Sequence, residues 1–443
     1  MDETRGSGDI STKLQRIADL AQRRSGEALT TLAYHIDHAW LKEAFQRTRK
    51  DGAAGVDGQT ADEYARELDL HLASLLERFR SGHYRAPSVR RVHLPKGNGK
   101  TRPIGIPTVE DKVLQRAVLM VLTEVYEQDF LPCSYGFRPG RSAHQALEVL
   151  WKEAMGVGGG WVLEVDIQGF FDHLDHGHLR SFLDQRVRDG VLRRAIDKWL
   201  KAGVLEDGQL HRPKGGTPQG GVISPLLANL YLHVVLDEWF EHVVKPRLGG
   251  RAVLVRYADD FVIVFAREDD ARRVLEVLPK RLEKYGLTVH PEKTRLVDFR
   301  RPRGEGSDGS RSGTFTFLGF THYWGRSRKG RPVVKRKTSK ESFRRGVRRI
   351  SDWLRDHRHW PIEVQHRRIE RTLRGHYGYF GLTGNADALS VFRHRVYRRW
   401  FHWLSRRSHR GRMTWARYAR LIERYPLPSV RVVHSVYRRV ATT

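Results

Sequence analysis

Val253-Leu254-Val255-Arg256-Tyr257-Ala258-Asp259-Asp260-Phe261-Val262-Ile263-Val264-Phe265 decides how the rest of the chain is read. Two apolar runs rich in β-branched residues flank a short polar centre, the pattern of a β-hairpin. The turn, Ala258-Asp259-Asp260, carries two adjacent carboxylates, which repel each other unless a cation lies between them. Asp is also common in hairpin turns for purely local reasons, so the pair needs company before it implies chemistry. A third carboxylate supplies it: Trp161-Val162-Leu163-Glu164-Val165-Asp166-Ile167 reads as a strand ending near Asp166. Phosphoryl transfer by two divalent ions about 3.5–4 Å apart needs such carboxylates on a rigid base.

Outward from the hairpin, helices and strands interleave without a regular βαβ rhythm, so an α+β fold with an antiparallel sheet is expected. Residues 1 to about 30 are polar and read as loosely held. Residues 32–45 and 64–79 show helical spacing, and 113–130 read as a helix with one buried face. Residues 89–94 alternate like a strand and 95–100 form a hairpin-type turn. Residues 300–313 have almost nothing to bury and read as a flexible basic loop. Beyond about residue 335 the chain is Arg-rich and helical, with Trp and Tyr interleaved.

Composition narrows the partner. Lys plus Arg number 80 against 51 acids, a formal net charge of +29. That surplus suits a phosphate backbone, and the many arginines can bind two phosphate oxygens at once. A single cysteine, Cys133, excludes internal disulfides and a Cys-based zinc site. The first residues lack the apolar core of a signal peptide, and no run of about 18 apolar residues suggests a membrane span. The expected setting is cytoplasmic. Asp172-His173-Leu174-Asp175-His176-Gly177-His178 looks metal-binding by composition but reads as a turn into a helix, and the Gly156–Gly160 stretch lacks the Lys of a P-loop.

Tyr257-Ala258-Asp259-Asp260 resembles the Y-x-D-D signature of reverse transcriptases. The segments around it resemble, in order, the blocks of the group II intron-encoded reverse transcriptase/maturase family. These are 92–96 with 101–107, Ser134-Tyr135-Gly136-Phe137-Arg138-Pro139-Gly140-Arg141-Ser142, Asp166-Ile167-Gln168-Gly169-Phe170-Phe171-Asp172, 216–229, 286–294 and Phe317-Leu318-Gly319-Phe320. The resemblance covers roughly residues 40–430. It implies a right-hand polymerase: an N-terminal extension and start of the fingers in 1–85, fingers and palm in 86–334, a helical thumb/maturase domain in 335–405, and a basic tail touching DNA in 406–443.

Carried over residue by residue, the resemblance implies two Mg2+ ions, replaceable by Mn2+, held by Asp166, Asp259 and the Ile167 carbonyl with Asp260 nearby. Arg102 and Lys96 would neutralise the incoming dNTP triphosphate. Phe171 would exclude a ribose 2′-hydroxyl, Gln219 would lie in a Gly-Pro-rich nucleotide turn, and Lys293 would act as general acid toward pyrophosphate. Arg138, Arg141, Arg374, Tyr377, Arg398 and Arg399 would contact RNA, the later ones around the looser maturase block Gly375-His376-Tyr377-Gly378-Tyr379-Phe380-Gly381. The implied partners are a structured intron RNA, an RNA template with a DNA primer, dNTPs and target DNA. The paired cysteines of an H-N-H endonuclease are missing, so second-strand cleavage is not expected. Two alternatives stay open: a free-standing reverse transcriptase in repair or phage defence, and a splicing-only scaffold, against which the three carboxylates argue.

Overall fold

The computed structural model describes residues 3–97, 100–206, 209–211, 220–302, 313–407 and 413–434. Its strands are β1 (Val89–Gly97), β2 (Lys100–Ile106), β3 (Trp161–Gln168), β4 (Val204–Glu206), β5 (Gln209–His211), β6 (Ala252–Tyr257), β7 (Asp260–Phe265), β8 (Thr288–Val289), β9 (Arg295–Asp298), β10 (Phe315–Phe317), β11 (Phe320–Arg326) and β12 (Pro332–Thr338). They form sheets of order β2-β1-β4-β5, β10-β11-β12, and β6-β7-β3-β8 with β9 on β3. Strands mix with helices and a run of helices follows them, so the fold is α+β with a helical C-terminal region. The hairpin read from the sequence is β6 and β7, within a residue at each end.

One contact orients the third sheet. A Cβ on Gly160, which has φ 62, would collide with the Phe265 carbonyl. The start of β3 thus meets the end of β7, and the two strands run in opposite directions. The Asp166 end of β3 therefore lies beside the Asp260 end of β7. On the other side of β3, Ile167 pairs with Val289 of β8, antiparallel.

By contacts the chain divides into two compact units: Met1–Ala143, Val165–Phe261 and Asp269–Arg295 in one; His144–Glu164, Val262–Glu268 and Leu296–Thr443 in the other. The first unit is organised on α1 (Glu3–Arg23), α2 (Val109–Tyr126) and α3 (Ser224–Leu232). Helix α2 begins where the Thr108 hydroxyl accepts a hydrogen bond from Asp111 N, 3.2 Å, and it buries Val113, Leu114, Val118 and Val121 completely. The expectation that residues 1–30 are loosely held is corrected by α1. Ile10, Ile17 and Ala21 fall on one helical face and are buried, a stripe too sparse to stand out in a polar stretch. The single helix read over 64–79 is two, Ala61–Ala65 and Leu68–Ser81, the first started by a Thr60–Glu63 capping box.

In the second unit, α4 (Lys340–Asp356), α5 (Ile362–Phe380), α6 (Ala386–Leu404) and α7 (Trp415–Arg424) share an apolar core of Ile350, Leu354, Ile369, Leu373, Phe392 and Trp400. The Trp400 indole donates to Gln365 Oε1 at 3.0 Å, so its polar edge is satisfied inside that core. The segment given to a basic tail contains α7, whose Tyr418 is buried and donates to the Tyr397 carbonyl at 2.8 Å. The basic loop read at 300–313 falls largely outside the described residues.

His322 of β11 is buried against the Phe315 ring, centroids 4.5 Å apart. Burial, with Arg336 nearby, pulls its pKa from 6.5 down to about 3. The folded state keeps this imidazole neutral and the unfolded chain protonates it near pH 6.5. The stability that depends on its neutrality is therefore present above pH 6.5 and lost as pH falls toward 3. Melting temperature should drop steeply over that window, and His322→Phe should flatten the drop by several degrees; equal pH profiles for both proteins would refute it.

Candidate active site

Asp166 alternates with buried neighbours along β3: Val165 and Ile167 are 3% and 5% exposed, while the Asp166 side chain is 43% exposed. The strand's pleat thus turns one carboxylate outward from an otherwise apolar run. The loop after β8 closes on it. His290 N donates to the Asp166 carbonyl at 2.8 Å, and the Lys293 ammonium meets Asp166 Oδ2 at 2.9 Å. After β3 the chain turns through Gly169, φ 55, into a short helical turn, Phe170–Asp172. Phe170 is buried there and holds the half-buried Phe171 edge-on, centroids 5.3 Å apart.

Asp259 and Asp260 follow a residue in an unusual conformation. Ala258 has φ 56, the left-handed region that a residue with a Cβ enters at a cost. A buried network holds it there. The Arg256 guanidinium, wholly buried, donates through Nη1 to the Ala258 carbonyl at 3.0 Å and to Asn229 Oδ1 at 3.0 Å. Through Nε it reaches Asp237 Oδ1 at 2.7 Å, and its Nη2 bonds the other carboxylate oxygen. Asp237 is equally buried, on a π-helical turn, His233–Asp237, that follows α3. The Asp237 charge, opposing desolvation, holds the Arg256 pKa above its ordinary value.

Backbone closes the other side. Tyr135 N donates to the Arg256 carbonyl at 2.9 Å and Arg256 N to the Cys133 carbonyl at 2.8 Å. Asn229 Nδ2 donates to the Gly136 carbonyl at 2.7 Å. A Cβ on Gly136 would overlap Ala258 N, so only glycine lets these two backbones meet. Phe137 follows with φ 57 and an exposed ring, a conformation bulky residues adopt only under constraint.

The chemistry of the donor set suits a divalent cation. Carboxylate oxygens and a strand carbonyl are hard ligands of the kind Mg2+ and Mn2+ prefer, and Asp166 already draws a cation, the Lys293 ammonium. The residues present fit the ion. Among the described residues no three His, Cys, Asp or Glu side chains gather as a ready-made metal site; the donors here are carboxylates together with a backbone carbonyl.

The remaining expected residues divide. Arg102 is exposed on β2, opposite Leu94 of β1. Lys96 lies on β1 where the register shifts between Pro95 and Gly97. Gln219 lies outside the described residues. Its neighbour Gly220, φ 123, approaches the Gly105 carbonyl of β2 too closely for a side chain, and Val222 N donates to Gln115 Oε1 of α2 at 2.7 Å. Arg141, Arg374, Arg398 and Arg399 are exposed. Two expected RNA contacts are corrected. Arg138 is buried, paired with Glu127 at 2.9 Å and donating to the Leu131 and Ser134 carbonyls. Tyr377 is 3% exposed, and its hydroxyl donates to the Pro428 carbonyl at 3.3 Å. Both are held inside the fold, away from any phosphate.

Residues 94–322 match the family described as reverse transcriptase (RNA-dependent DNA polymerase), and residues 343–421 match the group II intron, maturase-specific domain. The chain belongs to the group II intron reverse transcriptase/maturase family. It is similar to Protein YkfC of Escherichia coli (strain K12), 34% identical over 366 residues that span 73% of this chain and 90% of that protein. It is also similar to the group II intron-encoded protein LtrA of Lactococcus lactis subsp. cremoris, 39% identical over 225 residues, 50% of this chain and 37% of that one. Nuclear intron maturase 2, mitochondrial, of Arabidopsis thaliana is 27% identical over 235 residues, 44% of this chain and 30% of that protein. The α+β region is thus an RNA-directed DNA polymerase of a kind that generally uses a divalent metal. The helical region carries the maturase-specific domain of group II introns. Among the described residues no helix is long and apolar enough to cross a membrane.

Sequence reasoning missed what holds the Asp259–Asp260 turn. Arg256 is a charge inside an apolar strand, and that placement was the available signal for a buried partner. Nothing in the sequence tied it to Asp237, Asn229 and Gly136. Asp237→Ala leaves Arg256 buried and uncompensated and should cost about 3–5 kcal/mol in urea unfolding. Joining Arg256→Met to Asp237→Leu should restore most of that stability while primer extension stays at least tenfold down. Full extension by the double variant would show that the pair does not position the turn.

Proposed function

We propose that this chain binds the structured RNA of a group II intron, assists its splicing, and copies RNA into DNA from a primer at a DNA target during intron mobility. The observation that carries the polymerase reading is the meeting of the Asp166 end of β3 with the Asp259–Asp260 turn, with Lys293 on Asp166. Two Mg2+ ions, or Mn2+, would be held by Asp166, Asp259 and the Ile167 carbonyl, with Asp260 beside them. When bound, such ions lower the pKa of an attacking 3′-hydroxyl and neutralise pyrophosphate.

The chain's own residues do the rest. Arg102 and Lys96, from β2 and β1, neutralise the triphosphate of the incoming dNTP, and Gln219 contacts the nucleotide. Phe171, braced by Phe170, closes the space a ribose 2′-hydroxyl would need. Lys293 leaves Asp166 to donate its proton to pyrophosphate. We assign 86–334 to fingers and palm, preceded by an extension in 1–85, and 335–405 to the thumb and maturase domain. Arg141, Arg374, Arg398 and Arg399 contact RNA, and the cations from 406 onward reach target DNA.

Asp259→Ala should lower primer extension on an RNA template at least a thousandfold while intron RNA affinity changes less than twofold; extension near the wild-type rate would refute the metal assignment. Phe171→Ala should raise ribonucleotide incorporation about a hundredfold relative to dNTP, and unchanged sugar selectivity would remove the gate. RNA affinity should fall steeply between 50 and 200 mM salt, by a factor on the order of a thousand, as counterion release requires. A flat response would detach the surplus charge from binding.

A further inference from the structure

A cavity of about 410 Å³ opens in the helical region between α4, α5 and α6. Its volume falls within the range of small-ligand sites, roughly 300–1,000 Å³. Three guanidinium groups line it, Arg349 of α4 and Arg368 and Arg371 of α5, and no acidic residue does. None of the three forms an ion pair among the described residues. Flat rings supply the other walls: Trp353, with the Arg368 guanidinium over it at 5.7 Å, and His376, stacked on Phe392 with centroids 3.7 Å apart. The ligand such walls select is anionic at one end and planar at the other.

Two further features lack an explanation within the fold. His376 Nε2 is buried with no hydrogen-bond partner among the described residues, an arrangement that ordinary packing avoids. Burial, reinforced by Arg349, pulls this imidazole down to about 4, so it is neutral at pH 7 and has both a donor and an acceptor nitrogen. Gly375 lies inside α5, where glycine weakens a helix. Its φ is not left-handed and a Cβ there would meet nothing within 4 Å. Neither backbone strain nor close packing calls for glycine at this wall, and the space beside it is open.

We propose that this cavity receives one unstacked nucleotide of the bound RNA, its base against Trp353 and its phosphates on Arg349, Arg368 and Arg371. Single-stranded RNA is read in this way, by bases splayed onto aromatic and guanidinium planes and hydrogen-bonded at their edges. His376 Nε2 meets a base edge. The site falls inside residues 343–421, the maturase-specific match, and the inference rests on the intron-binding reading of that region while naming a pocket within it. RNA rather than a free nucleotide is the source because the three arginines are exposed and surround the pocket where a backbone can enter and leave.

The test uses the full-length protein and a group II intron transcript substituted with 4-thiouridine and 6-thioguanosine. Ultraviolet crosslinking should place adducts on the α5 peptide that contains His376. Gly375→Leu, which fills the cavity, should weaken transcript binding about tenfold and remove that adduct. Arg371→Gln should weaken binding in the same direction, with circular dichroism reporting that both variants are folded. Adducts confined to other helices, or affinities of both variants equal to wild type, would overturn the pocket. Displacement of the adduct by millimolar AMP or UMP without loss of transcript binding would assign the pocket to free nucleotides and overturn the RNA source. A wild-type protein that fails to bind the transcript at all would instead remove the underlying reading.

Discussion

The Asp259–Asp260 hairpin depends on a charge placed where charge is expensive. Arg256 and Asp237 are wholly buried, and removing two ions from water costs several kcal/mol each before their attraction repays it. A pair of apolar residues would fill the same space at lower cost. What apolar residues lack is direction. The guanidinium is a rigid fork, and here one edge is taken by Asp237 while Nη1 is left for Asn229 and the Ala258 carbonyl. The pair converts burial into a fixed position for one carbonyl, and that carbonyl belongs to the residue before the two carboxylates.

From that position the rest of the turn follows. Ala258 stays left-handed because its carbonyl is held by Arg256 and its amide lies against Gly136. Asp259 and Asp260 then leave a turn held by these contacts, and preorganised charge is what electrostatic catalysis needs. Asp166 reaches the same edge by a different route, through the opposed directions of β3 and β7 and through the loop that sets Lys293 on it. Two segments distant in sequence, around residue 136 and over 229–237, thus hold the turn without supplying its carboxylates. Gly136 and Asn229 fall in blocks that resemble the family's, and the match has a physical content: Gly136 must be glycine, and Asn229 must offer both an amide donor and a carbonyl acceptor.

Much of this was legible in the sequence, for a physical reason. β6 and β7 are dense apolar runs with a polar turn, and α2 has a continuous buried stripe behind a Thr cap, so local pattern and tertiary role agree. The segments that misled are those where they diverge. Helix α1 buries only a few side chains, too few to show against its polar background. The break between Ala61–Ala65 and Leu68–Ser81 depends on packing, since an apolar period runs through it. Arg138 and Tyr377 look like RNA contacts because their residue types suit RNA. Type alone cannot tell a guanidinium that binds phosphate from one that binds Glu127 and two carbonyls.

That last ambiguity bears on the net charge of +29. A count of arginines overstates the cationic surface, because several are spent inside the fold: Arg138, Arg256, and Arg336, which donates to the Leu147 carbonyl while buried. Others are half-neutralised on the surface, as Arg374 is by Glu370 at 2.7 Å, where an exposed pair contributes little to stability and exchanges readily for a phosphate. What suits an arginine to binding is an exposed head group, free of acids or paired only at the surface, and most of all a ring or cavity beside it that gives the phosphate's nucleoside somewhere to go. Arg398, exposed over the Trp415 ring at 5.1 Å, meets that description, and so do the arginines around His376. The charge is therefore better understood as two populations set by burial: one orders the protein, and the other is left for RNA.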